Sequence, residues 1–98
     1  MKIVINDCHG GFGLSEEGEK RYLELGGDPP ELGFLWHAID RTQPALVQTV
    51  EELQDKAMDD YAQLEITDIP AGTKYRIREF DGLEWIETED EIKWKIAT

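Results

Sequence analysis

Cys8 and His9 put a thiol beside an imidazole, and Gly10, Gly11, Phe12, Gly13 and Ser15 follow at once. Three chemistries suit these residue types. A thiolate nucleophile needs a base, yet neighbours on an extended chain point to opposite sides, so Cys8 and His9 are not a dyad by themselves. His37 is the other imidazole. The plain alternative is a small buried residue packed under a helix. A metal site from Cys8, His9, His37 and an Asp is conceivable by type, but no CxxC or HxxxH spacing supports it. The third chemistry is anion or nucleotide binding. A glycine-rich bend before a helix N-terminus aims backbone N–H groups at one spot. The bend matches neither the P-loop nor the dinucleotide fingerprint and holds no Lys or Arg, and Glu16 and Glu17 oppose an anion. The plain alternative there is a tight strand-to-helix turn. Asn6, Cys8, Gly10, Gly11, Phe12, Gly13 and Ser15 are the candidate ligand-binding residues; no catalytic residue, metal ligand or cofactor is assigned.

The elements that must position the bend are short. Ile3, Val4 and Ile5 predict a buried strand. Ser15 predicts a helix cap, with Glu16 and Glu17 at the positive end of the dipole and Gly26-Gly27 as the stop near Leu25. The apolar face of this helix is thin, chiefly Tyr22, Leu23 and Leu25, and Gly18 weakens it by about 1 kcal/mol relative to Ala. Asp28-Pro29-Pro30 reads as a turn, and Gly33 to Ile39 as extended. Thr42 is the expected cap of a second helix, with Pro44 in its first turn. Leu46, Val50, Leu53 and Ala57 form one stripe; Glu51, Glu52, Asp55 and Lys56 face away, and the helix should end near Met58 to Asp60.

A strand meander should follow: Gln63 to Ile69, Lys74 to Phe80, Leu83 to Thr88 and Glu91 to Ala97. Asp81-Gly82 between alternating runs is a hairpin signal. It pairs Phe80 with Leu83, Arg78 with Trp85 and Arg76 with Glu87, placing Arg78 over the Trp85 ring. Trp36 and Trp94 read as core or sheet-face residues. The sum is a single α+β domain over residues 1–98. Two layers are expected, a mainly antiparallel sheet of 4–5 strands with two helices on one face.

The net charge of −12 repels phosphate backbones and favours cationic partners. Residues 1–43 hold 8 acids against 4 bases, and 44–98 hold 14 against 6. The carboxylates of the second helix run on through Asp59 and Asp60 to Glu65 and Asp68; Glu84, Glu87, Glu89, Asp90 and Glu91 extend them. Such a row imitates a nucleic-acid backbone, or is simply a solvated face. Glu51, Glu52, Asp55, Asp59, Arg78, Glu84 and Trp85 are the candidate partner-binding residues, Arg and Trp being common at interface hot spots. No run approaches the ~20 apolar residues that cross a bilayer, and no basic stretch precedes an apolar one. One cysteine forms no internal disulfide. A soluble intracellular protein is expected, binding neither nucleic acid nor membrane directly. Apolar residues on both sheet faces would allow a homodimer.

Lys2 to Asn6, Cys8, Gly10 to Phe12 and Leu14-Ser15 together resemble the opening of a family of small uncharacterised proteins encoded by tailed bacteriophages and prophages. Arg41 to Pro44, Leu46 to Gln48, Val50 to Leu53, Tyr75 to Ile77 and Phe80 to Gly82 are similar to it as well, while residues 20–40 are not. His9 stands where an aromatic such as tyrosine is expected. The resemblance implies a phage or prophage origin and a place in the host bacterial cytoplasm. It carries no activity. The expected function is that of an acidic accessory protein binding a host or phage macromolecule with a basic surface, as an inhibitor of a bacterial defence system. The alternatives are a small-ligand or nucleotide-sequestering protein using the glycine-rich bend, and a Cys8-dependent enzyme.

Overall fold

The computed structural model describes residues 1–33 and 35–88. The chain begins with strand β1 (Lys2–Asn6), whose Ile3, Val4 and Ile5 are all buried. Three consecutive buried side chains on an alternating strand require cover on both faces. That requirement organises the molecule.

Helix α1 (Glu16–Glu24) starts at Ser15, whose Oγ accepts from the Gly18 N–H at 2.9 Å, and Gly26 at φ 86° ends it. Tyr22 is its buried anchor, and burial pushes the phenol pKa up. Leu23, expected on the apolar face, is exposed. Gly18 has a reason the helix alone does not reveal: a Cβ there would stand 2.3 Å from the Ala57 carbonyl oxygen. The expected extended run at residues 33–39 instead carries a 3-10 turn at Trp36–Ala38, with Trp36 edge-on to Tyr22 at 5.7 Å and 75°. Trp36 is half-buried against that ring and Ile39 is buried, while His37 and Ala38 are exposed.

Helix α2 (Pro44–Leu53) begins one residue later than expected, with Gln43 in the capping position. Thr42 is drawn away because its N–H and hydroxyl both donate to Asp40 Oδ1, at 2.9 and 2.7 Å. The helix also stops early. Gln54 takes φ 50°, and a 3-10 turn, Gln54–Ala57, continues to Met58. The stripe survives this break, since Leu46, Val50 and Ala57 are buried and Leu53 is half-buried.

Strand β2 (Leu64–Asp68) returns antiparallel to β1, with Val4 opposite Ile66 and Asn6 opposite Leu64. Strands β3 (Tyr75–Phe80) and β4 (Leu83–Thr88) form the expected hairpin, in the expected register of Phe80–Leu83, Arg78–Trp85 and Arg76–Glu87. Asp81 at φ 50° and Gly82 at φ 89° make the turn. The fold is therefore α+β, but the described strands make two antiparallel pairs rather than one sheet, and β2 pairs with β1 rather than with β3. The expected strand Glu91 to Ala97, with Trp94, and the carboxylates at 89–91 lie outside the described residues.

The two pairs divide the cover that β1 needs. Val4, Leu64 and Ile66 pack with Leu14, Tyr22, Leu46, Val47 and Val50 on the helical side. Ile3, Ile5 and Ile69 pack with Tyr75, Ile77 and Ile86 on the hairpin side. It is α2 that lies on β1 and β2, while α1 packs on α2 and the turn after it.

Candidate functional site

The second strand pair leaves one edge of β1 facing no described strand, and there the Arg41 carbonyl and the Glu84 carboxylate accept its N–H groups. The Val4 N–H donates to the Arg41 carbonyl at 2.9 Å, and the Asn6 N–H donates to Glu84 Oε1 at 2.8 Å. Arg41 and Glu84 then meet as a fork: Nη1 to Oε1 at 2.6 Å and Nη2 to Oε2 at 2.8 Å. Nη2 also donates to the His37 carbonyl at 2.8 Å. The pair is 6% and 7% exposed. The Phe12 ring covers the guanidinium, with Cζ 3.7 Å from its centroid. One donor is left over. Arg41 Nε is buried and has no hydrogen-bond partner among the described residues.

Above this pair lies a cleft of about 690 Å³. Gly11 and Phe12 of the bend form one wall, His37, Ile39, Asp40 and Arg41 a second, and Tyr75, Ile77, Glu79, Gly82 and Glu84 of the hairpin a third. The walls meet closely because of Gly82: a Cβ there would lie 2.4 Å from the His9 carbonyl oxygen and 2.7 Å from the Gly11 nitrogen. Any larger residue would part the bend from the hairpin.

The candidate ligand-binding residues fall into two groups. Only Gly11 and Phe12 reach the cleft. Asn6 is fully buried and spent on the fold: its Nδ2 donates to the carbonyls of Cys8 and Gly82, and its Oδ1 accepts from the Gln63 N–H. Cys8 is half-buried, its thiol donating to the Tyr61 carbonyl at 3.0 Å, and His9 Nδ1 lies 3.2 Å from the Asp81 carbonyl. Gly10 and Gly13 sit where a Cβ would strike the Tyr61 carbonyl and the Asp59 carboxylate. Ser15 is occupied as helix cap and donates to the Lys56 carbonyl. The bend is thus packed by the chain itself, with Asp59 against Gly13, and its glycines serve close approach. Among the described residues, no group of three or more His, Cys, Asp or Glu is placed to hold a metal ion.

The candidate partner-binding residues are also dispersed. Glu51, Glu52 and Asp55 are exposed on α2 and its following turn, but Glu51 accepts from Lys2 Nζ at 3.1 Å and Glu52 from Arg21 Nε at 2.7 Å. The Arg21 guanidinium, aided by Gln48, holds the Glu52 carboxyl down at about 2. Asp59 is half-buried and accepts from the Tyr61 N–H. Arg78 is paired with Trp85 in the register but donates to Glu87 at 3.2 Å, so the expected place over the Trp85 ring gives way to a carboxylate that Arg76 shares. Arg76 and then Arg78 hold the Glu87 carboxyl below its usual range. Trp85 and Phe80, 42% and 69% exposed, stand on the outer hairpin face. Glu84, expected among the outer carboxylates, is the correction that matters most: it points inward beside Ile86. Sequence parity carried that signal, since residues 84 and 86 share a face. Nothing local marked Arg41 as its partner.

No described helix is long and apolar enough to cross a membrane. Comparison with protein-family models, with curated proteins and with solved structures finds no match.

Proposed function

We propose that the protein is a non-enzymatic binding protein that takes a small organic molecule in the cleft beside Arg41 and Glu84. One observation carries this reading. A buried guanidinium, stacked on Phe12 and matched by the Glu84 carboxylate, lines a cleft of about 690 Å³ whose wall also carries Asp40 and Glu79. That volume lies within the roughly 300–1,000 Å³ typical of small-molecule sites. Its lining is divided about equally between polar groups and apolar surface, the latter from Phe12, Ile39 and Ile77. A binding rather than catalytic role is supported by the thiol, which donates to a backbone carbonyl and has no imidazole as its base among the described residues. An NMR fragment screen on the whole chain tests the reading. Hits should move the amide signals of Gly11, Phe12, Ile77 and Gly82 together; hits confined to other surfaces would refute it.

A second reading rests on a different surface. The outer hairpin face exposes Phe80 and Trp85 beside Arg78, the residue types that anchor protein interfaces. With the net charge of −12, this supports a phage-encoded accessory protein that occupies a basic surface on a host or phage macromolecule and so inhibits a defence system. The internal pairing of Glu51 and Glu52 weakens any imitation of a phosphate row. A pull-down from infected host lysate should then recover a basic partner that is lost at high salt. A partner retained at high salt would speak against it.

A further inference from the structure

Resting on the cleft as a ligand site, we infer that its ligand is an organic cation with an aromatic or apolar body. The charges around the cleft decide this. The one cation there among the described residues, Arg41, is engaged on both Nη atoms by Glu84, so its charge is already matched. Asp40 and Glu79 remain, both exposed at the cleft. Each spends one oxygen internally: Asp40 Oδ1 accepts from Thr42, and Glu79 Oε1 accepts from the Gly82 N–H at 2.7 Å. Neither second oxygen has a hydrogen bond among the described residues. An anionic ligand would meet two carboxylates and no available cationic fork, in a chain whose own field is negative. An ammonium group meets two acceptors there.

The other walls select the rest of the molecule. Tyr75, Ile39 and Ile77 offer apolar and π surface, to which a cation is also drawn. Cation and ring are two features that one small molecule can satisfy at once.

Three phenols with different para substituents separate the charge from the site: tyramine, p-cresol and 4-hydroxyphenylacetate. Each is titrated to millimolar concentration into the whole chain and followed by NMR. Tyramine should perturb Gly11, Phe12, Ile77 and Gly82, bind about tenfold more tightly than p-cresol, and weaken with salt. Asp40→Asn with Glu79→Gln keeps both internal acceptors and should remove that tenfold advantage, while p-cresol binds the variant as before. If 4-hydroxyphenylacetate binds the cleft as tightly as tyramine, the cationic class is wrong and the cleft stands. If tyramine moves only signals near Glu51, Glu52 and Asp55, or if no probe moves the cleft signals, the site itself is wrong and the inference goes with it.

Discussion

The two faces of the β1–β2 ribbon are covered in opposite ways. On the helical face, nine buried apolar residues close around Val4, with Leu46 and Tyr22 fully inaccessible. On the hairpin face, among the described residues, Ile3, Ile5 and Ile69 are buried, Tyr75, Ile77 and Ile86 are half-buried, and a charged pair lies at the β1 edge that no described strand takes. Apolar packing is non-directional and fills space, so the first face leaves no work for a ligand. A forked ion pair is directional. It holds the β1 edge by a few defined bonds and leaves room around them, which is where the cleft lies. The molecule thus separates the face that supplies stability from the face that has polar groups to spare.

The sharpest way to break this contrast is to remove one half of the pair. Arg41→Met leaves Glu84 buried and uncompensated, and should cost about 3–5 kcal/mol by urea unfolding. Adding Glu84→Leu should return part of that loss. A single variant costing under about 1 kcal/mol would mean that the hairpin face is not held as described. On the other face, Leu46→Ala should cost about 2–4 kcal/mol yet leave any ligand affinity in the cleft unchanged. A parallel loss of binding would show that the faces are coupled. Gly18→Ala tests how tightly the helical face is closed. Helix propensity alone favours it by about 1 kcal/mol, but its Cβ would meet the Ala57 carbonyl, so a net loss of about 1–2 kcal/mol is expected in thermal unfolding. The smallest effect concerns acid. A carboxyl held at about 2 in the fold, against 4.5 ordinarily, stabilises above 4.5 and loses that contribution as pH falls toward 2. Glu52→Gln should therefore flatten the acid limb of the stability curve in that window, with little change where Gln and protonated Glu are equivalent.

Much of this arrangement was legible locally. Ser15 and Gly26 mark α1 because a cap and a positive-φ stop act within a few residues. Asp81-Gly82 set the register of the whole hairpin, since a two-residue turn leaves no other pairing. The reading of Gly10 to Ser15 as an open cradle could not be tested so. Whether its N–H groups meet a ligand or the chain depends on Tyr61 and Asp59, some fifty residues away. The end of α2 at Gln54 was hidden for a related reason, because the stripe continues through the 3-10 turn to Ala57.

Residue type and alternation were enough for β1 to β4, the two helices, the hairpin pairing and the negative charge, because each arises between near neighbours. Which charges leave water is another matter. Glu84 shares a strand face with Ile86, but its partner Arg41 lies in a turn 43 residues away. They are buried because the hairpin docks beside a β1 edge that no described strand takes, and desolvation is a property of what surrounds a group rather than of its place in the chain.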